Sequence, residues 1–327
     1  MLYIIYEDNF LSDYILRPLR ERNDIRLIPF ERIRYHNYKR PLWLAMRFIR
    51  ASIIDKKGFL TGWYFPERFI GRIREIGKKD KVLLFSIQNL KELMVLDKEL
   101  ESKDKNVFIW NPLCVINRNK RSRSKYARKM HDAGMKVYTF DEGDAKNYGF
   151  GLLNQIYRSP RPGELEETEC DNNGCVFFVG TDKQRSGKLA RLSESFEKAG
   201  IKCDFHILRD KKTCEEATLR KYYSSRLVEY PEYLRRLRQS ACMLEILQEG
   251  QSGMTVRTLE ALFFGKKFIT NNQGARDFPF YHPDNIFILD GDSTDELAEF
   301  MARPLHPIAE EIIAPYRLEN WIKKFEQ

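Results

Sequence analysis

The 327-residue chain has no apolar run approaching the roughly 20 residues that a membrane span needs. Its start, Met1-Leu-Tyr-Ile-Ile-Tyr-Glu7, lacks the basic opening and apolar length of a secretory signal and reads as a first strand. A cytoplasmic location is the expectation. Cysteine is sparse and scattered: Cys114, Cys170, Cys175, Cys203, Cys214 and Cys242 include only one close pair, Cys170 and Cys175, at a spacing that fits no common zinc pattern. Free thiols and no structural metal follow, with Cys114, Cys203 and Cys242 as small core residues. No short-period repeat and no recognisable nucleic-acid-binding module is present.

What is present describes a globular protein. At 43% hydrophobic and 31% charged residues, the chain is long enough for two domains, each with its own core. The formal net charge of +9 arises in the first half, the second being slightly acidic. A basic half points to an anionic partner. Within it, Arg32-Ile-Arg-Tyr-His-Asn-Tyr-Lys-Arg-Pro-Leu-Trp-Leu-Ala-Met-Arg-Phe-Ile-Arg50, followed by Trp63, Tyr64, Phe65 and Phe69, interleaves cations with aromatics. That pattern, over 32–69, suits an interfacial helix on an anionic membrane surface, or equally a helix packed on a sheet. The run Arg118-Asn-Lys-Arg-Ser-Arg-Ser-Lys-Tyr-Ala-Arg-Lys129 is a solvated helix start or a polyanion contact, and without a binding module nucleic acid is disfavoured.

Both halves alternate strand and helix patterns. Apolar runs at 2–6, 25–28, 81–86, 106–110 and 136–140 predict strands, with helical spacing over 11–21, 89–100 and 122–133. In the second half, strands are expected at 175–179, 203–208, 226–228, 243–247, 268–270 and 286–289, and helices at 188–198, 230–240, 255–263 and 293–302, the last with Ser293 as N-cap. This rhythm implies mostly parallel sheets with ligand contacts at the carboxyl ends of the strands. Prolines, glycine and an acidic run mark a connector at about 151–171, giving domains 1–171 and 172–312 and a short amphipathic helix within 313–327.

Two stretches carry candidate chemistry. Asp141, Glu142 and Asp144 gather around Gly143 at a strand end. Crowded carboxylates there supply a general base, a metal pair, or an acidic turn in which Asp144 caps a helix. The second stretch, 243–270, reads as a buried strand, a small polar loop with Gly250 and Gly253, and a helix ended by Gly265. Such a loop aims the helix's unpaired N–H groups at an anion.

Val179-Gly180 leading to Lys183, Arg185 and Lys188, the Tyr230-Pro-Glu-Tyr-Leu-Arg-Arg-Leu-Arg-Gln-Ser240 helix, and Glu249-Gly-Gln-Ser-Gly-Met-Thr255 with Glu260-Ala-Leu-Phe-Phe-Gly-Lys-Lys267 resemble the donor-binding domain of GT-B glycosyltransferases. They are especially similar to enzymes of lipopolysaccharide and capsular polysaccharide assembly. The resemblance covers 175–290, and the first half by architecture alone. It implies an α/β fold of two Rossmann-like domains with an interdomain cleft, the last helix crossing back to the first domain. It further implies a nucleotide-sugar donor and a glycan or lipid-linked acceptor. Gln251, Ser252, Gly253, Met254 and Thr255 match the loop that holds the diphosphate, and Glu260 the residue that holds the ribose. Gly180, Lys183, Arg185, Lys188 and Tyr230 complete the donor side.

Many retaining members carry a glutamate eight residues before the ribose glutamate, and Ser252 stands there. The chain thereby resembles inverting members, hexosyl- or sialyltransferase-like, with no metal or other cofactor expected. In some inverting sialyltransferases an acidic-acidic-Gly motif supplies the base, and Asp141-Glu142-Gly143 is similar to it. Those enzymes also use a His-Pro pair, whereas His282-Pro283 lies later in the domain. Asp141 or Glu142 then deprotonates the acceptor hydroxyl. A non-catalytic sugar-nucleotide-binding protein, or a protein of anionic surfaces or nucleic acid, is the other class of reading.

Overall fold

The computed structural model describes residues 1–33, 64–116, 119–164, 174–211, 213–247, 253–289 and 296–326. The chain divides into two compact units, Met1–Leu153 with Ile322–Gln327, and Asn154–Trp321.

The first unit is one parallel sheet of β1 (Leu2–Glu7), β2 (Ile25–Phe30), β3 (Lys81–Phe85), β4 (Asp104–Ile109), β5 (Lys136–Thr139) and β6 (Gly151–Leu152). The strands lie in the order β2-β1-β3-β4-β5-β6. Flanking them are α1 (Phe10–Leu16), α2 (Glu67–Arg74), α3 (Leu90–Glu99), α4 (Lys120–Asp132) and α5 (Glu142–Tyr148). Val82, Leu83, Leu84 and Phe85 are all buried, because helices cover both faces of a parallel sheet; hence the continuous apolar runs in the sequence. Four of the helices open on an Asx side chain that accepts from the first turn: Asn9 from Ser12 N, Asn89 from Lys91 N, Asn119 from Arg121 N and Asp141 from Asp144 N. Each such cap contributes about 1 kcal/mol.

The second unit repeats the plan with β7 (Val176–Thr181), β8 (Cys203–Leu208), β9 (Tyr223–Ser224), β10 (Cys242–Glu245), β11 (Lys267–Thr270) and β12 (Ile286–Ile288). Their order is β12-β11-β10-β7-β8-β9, again all parallel. Helices α6 (Ser186–Lys198), α7 (Tyr230–Gln239), α8 (Val256–Phe263) and α9 (Leu297–Ala302) flank the sheet. The α/β class with two Rossmann-like sheets is the one expected.

Several local expectations give way. Gly151–Leu152, assigned to the connector, is instead the sixth strand, pairing with β5. Only glycine fits there, because a Cβ on Gly151 would stand 2.6 Å from Cδ1 of Tyr138. In the second unit the edge strand is Tyr223–Ser224, and 226–228 is irregular: Tyr223 has a buried side to offer, whereas Leu227 is exposed. The single helix expected near the end is two successive turns, Leu318–Trp321 and Ile322–Phe325. The second turn belongs to the first unit, where Arg22 donates to the Glu326 carboxylate, Lys81 Nζ to the Glu326 carbonyl (2.9 Å), and Phe325 packs edge-on against Tyr138.

Of the basic-aromatic segment, 34–63 lies outside the described residues, as do Arg118, Cys170 and Ser293. Phe65 and Phe69, counted with the membrane-facing aromatics, are core: both are buried and meet Phe30 at ring distances of 5.4 and 5.6 Å. Of the cysteines expected in the core, Cys242 is buried and Cys114 and Cys203 are partly so. Among the described residues no helix is long and apolar enough to cross a membrane.

Candidate active site

In an open parallel sheet, ligands bind beyond the carboxyl ends of the strands where the strand order reverses. In the second unit that point lies between β7 and β10. Strand β7 ends at Gly180-Thr181 and turns through Lys183 and Gln184, whose φ angles of 48° and 66° are left-handed for non-glycine residues. Each costs on the order of 1 kcal/mol, so the loop is held in a conformation that its sequence does not favour. It is held by Asp182, whose Oδ1 accepts from Arg185 N (3.2 Å) and Ser186 Oγ (2.6 Å), and by Asp210, whose Oδ2 accepts from Lys183 N (2.9 Å).

Two guanidinium groups converge on this loop. Arg185, buried, donates through Nη1 to Ile246 O (2.8 Å), through Nε to Asp182 O (3.1 Å) and through Nη2 to Thr181 O. Arg257, in the first turn of α8, donates through Nη2 to Val179 O (2.6 Å). Both stand by the ring of Phe178, with Cζ 5.2 and 5.6 Å from its centroid. A Cβ on Gly180 would lie 3.1 Å from Nη2 of each. Burial and the neighbouring Arg257 push the Arg185 pKa down to about 10, and burial with both arginines lowers that of the Lys183 amine. In both groups burial is the larger cause, and the neighbouring cations add to it, as like charges gathered in one place do.

The polar loop before α8 is only partly within the described residues: Gln251 and Ser252 lie outside them. Gly253 has φ 86°, and its carbonyl accepts from Asn272 Nδ2 (2.9 Å); Met254 is half-buried. Thr255 is the N-cap of α8, yet its side chain makes no capping bond: the hydroxyl donates to the Glu245 carboxylate, which Thr270 Oγ1 also reaches (2.8 Å). Among the described residues no side chain therefore caps the N–H groups at the start of α8, the condition in which a helix terminus takes an anion. Lys188 is half-buried in the first turn of α6.

Glu260 lies one turn on, buried, with both carboxylate oxygens engaged. Tyr230 Oη donates to Oε1 (2.9 Å) and Tyr233 Oη to Oε2; Tyr230 Oη also meets Tyr157 Oη at 2.5 Å. Burial pushes the Glu260 pKa up to about 7. The structure thus joins Tyr230 to Glu260, and adds Tyr157, Tyr233 and Arg257, which sequence reasoning missed. Arg257 did leave a signal: a cation in the first turn of a helix opposes the dipole, so its position calls for a separate reason.

In the first unit the Asp141–Asp144 turn is tightly bonded. Asp141 Oδ1 accepts from Asp144 N (2.7 Å) and caps α5, and Asp144 Oδ2 accepts from Leu113 N (2.6 Å). The capping residue is therefore Asp141, not Asp144. Burial raises the Asp144 pKa, and Glu142 is exposed. Among the described residues no group of three or more His, Cys, Asp or Glu is placed to hold a metal ion.

That turn follows β5, next to the sheet edge; the reversal of strand order falls between β1 and β3. A polar crevice of about 460 Å³ sits there, lined by Glu7, Arg32, Ser86, Gln88, Asn89 and Glu92. Arg32 forks onto Glu7 with two contacts of 2.7 Å and reaches Glu92 Oε2 at 3.1 Å. Burial raises the Glu92 pKa, and Ser86 is left-handed with φ 61°. Apart from Arg32, read from sequence as the start of the basic-aromatic segment, none of these residues was singled out, because only the strand order shows that the ends of β1 and β3 are neighbours.

No family model and no curated protein matches the sequence. Among solved structures, an α,α-trehalose-phosphate synthase (UDP-forming) from Burkholderia vietnamiensis aligns over 99% of this chain and 95% of its own, with a TM-score of 0.53 and 12% identity. The glycosyltransferase of kitacinnamycin aligns over 99% and 96%, with a TM-score of 0.41 and 10% identity. At such identity the first likeness is one of fold: two parallel α/β sheets in succession, as in GT-B enzymes.

Proposed function

We propose that the protein is a glycosyltransferase that moves a sugar from a nucleotide-sugar donor to a glycan or lipid-linked acceptor. The observation that carries this reading is the convergence of Arg185 and Arg257 on Gly180, beside a helix start that the Thr255 side chain leaves uncapped. A diphosphate supplies the charge that this cluster lacks, and arginine's planar fork suits its oxygens. Lys183 and Lys188 add charge, the Gln251–Thr255 loop approaches the phosphates, and Glu260 with Tyr230 takes the ribose hydroxyls. The resemblance of 175–290 to enzymes of cell-surface polysaccharide assembly supports that role and an inverting, metal-independent reaction.

In the proposed mechanism a carboxylate takes the proton of an acceptor hydroxyl, whose oxygen attacks the anomeric carbon from the face opposite the diphosphate. The bond from that carbon to the diphosphate oxygen breaks, and the departing charge falls to Arg185, Arg257 and the N–H groups of α8. Because the Asp141 carboxylate already caps a helix, Glu142 takes the base role. The Glu7–Arg32–Glu92 crevice, rich in acceptors, suits the hydroxyl groups of the acceptor. The test is a thermal-shift screen over nucleoside diphosphates and their sugars, since a ligand of the folded state raises its stability by mass action. Stabilisation by one base series, abolished in Arg257→Met, is expected; no stabilisation by any of them overturns the proposal.

A further inference from the structure

Helix α4 of the first unit carries a basic run that the proposed reaction leaves unused. Tyr126, Ala127 and Met130 turn to the core, while Lys120, Arg121, Lys125, Arg128 and Lys129 are all exposed. The helix holds six cations against one acid, Asp132 in its last position. Among the described residues the five exposed cations enter no ion pair. The arginines of α2, by contrast, are all matched: Arg68 and Arg72 with Glu31, and Arg74 with Glu99.

This arrangement works against the helix itself. Arg121 and Lys125, and Lys125 and Lys129, stand one turn apart, where like charges repel. The first turn holds no acid, and Lys120 and Arg121 lie at the positive end of the helix dipole, which favours the opposite sign. An anionic surface laid along the face turns both effects favourable. Two observations choose among polyanions. The face offers no phenyl, phenol or indole ring on which a nucleic-acid base could stack, since Tyr126 is buried. Just before the helix, in the turn Leu113–Ile116, Val115 is 43% exposed, an apolar side chain that a bilayer takes up and a nucleic acid does not. Cations on long aliphatic stems beside an exposed apolar group suit a lipid surface, with charges on the headgroups and stems over the acyl boundary.

We propose that the outward face of α4, together with Val115, docks the first unit on a bilayer surface rich in anionic phospholipid. The contact does not depend on the transfer reaction, and its test uses neither nucleotide nor sugar. Sedimentation of the full chain with vesicles should show binding to phosphatidylcholine mixed with phosphatidylglycerol, lost at high salt, and none to phosphatidylcholine alone. Each cation near an anionic surface adds about fivefold to such binding, so Lys125→Glu combined with Arg128→Glu should lower it about 25-fold. Both changes lie on an exposed helix face and relieve its repulsion, so Tm should hold or rise, which separates lost docking from lost folding. Val115→Ser should weaken vesicle binding several-fold. No binding to the mixed vesicles, undiminished binding in the double variant or in Val115→Ser, or tighter binding to transfer RNA than to the mixed vesicles overturns the proposal.

Discussion

The two sheets share one plan, each with a single reversal of strand order, but the crevices at the two reversals carry opposite chemistry. At β7 and β10, Arg185, Arg257 and Lys183 crowd together, and Arg185 and Arg257 are anchored on backbone carbonyls. At β1 and β3, one cation, Arg32, is shared by two carboxylates. Both crevices also hold a left-handed non-glycine residue at the end of the leading or neighbouring strand, Lys183 in one and Ser86 in the other. The fold thus places the two crevices and the side chains give them opposite character; the proposed function puts phosphate oxygens in the first and hydroxyl groups in the second.

The sharpest break in this comparison concerns the base, because the acidic turn after β5 and the crevice at β1 and β3 compete for it. With Asp141→Asn, Glu142→Gln and Glu92→Gln assayed side by side, Glu142→Gln should lower kcat by about 10²–10⁴, the usual worth of a general base, with donor affinity unchanged. Glu92→Gln should mainly raise the KM of the acceptor. Near-normal turnover in both Asp141→Asn and Glu142→Gln would move the base off the turn and give the first crevice a catalytic carboxylate.

Arg257→Met probes the other side. It removes one of the two cations assigned to the departing diphosphate in the proposed mechanism, and kcat should fall by about 10²–10³, with nucleoside diphosphate binding weakened in parallel. Lost turnover with unchanged nucleotide affinity would instead place Arg257 at the sugar.

Glu260 sets the pH response of the second unit. Its folded-state pKa of about 7 lies above the ordinary carboxyl value of 4.5, so the folded chain holds the proton more tightly than the unfolded one. Stability from this group is complete below about pH 4.5 and is lost as pH rises through about 7. The full swing is about 3 kcal/mol. Glu260→Gln removes this titration; measured by denaturant unfolding, its stability relative to wild type should therefore climb between pH 5 and 8. A constant difference across that range would mean that Glu260 titrates normally, and that Tyr230 and Tyr233 hold an already ionised group.

Much of this was legible in the sequence, and the limits have physical causes. Strands such as Val82–Phe85 announce themselves because both faces are buried, and apolar spacing alone places the helices read over 89–100 and 122–133 within two residues of their observed starts at Leu90 and Lys120. Strands of two residues, Gly151–Leu152 and Tyr223–Ser224, are too short for any period to show. The polar loop before α8 was located from its glycines and the helix after it, and Lys183 and Arg185 from the strand before them. Arg257 was passed over as a helix residue, and Glu7 as the end of a strand. Their significance depends on strand order, a tertiary property: it brings Arg257 to Gly180, 77 positions away in the chain, and Glu7 to Arg32. The same holds for Asp141, whose commitment to Asp144 N appears only once the helix start is in view.

The smallest expected effect tests the contact on which the cationic crevice turns. Gly180 has an ordinary backbone conformation, so alanine costs nothing in φ. Its methyl group would meet Nη2 of Arg185 and of Arg257 at 3.1 Å each, closer than comfortable contact but against the ends of flexible side chains. Both groups are tied to carbonyls, Arg185 to Ile246 O and Arg257 to Val179 O, so a shift of a few tenths of an ångström stretches those bonds without breaking them. Gly180→Ala should therefore leave Tm within a few degrees of wild type, weaken nucleoside diphosphate binding several-fold, and leave acceptor KM untouched. Unchanged nucleotide affinity would show that the two arginines yield freely and that the space over Gly180 is not where the diphosphate lies.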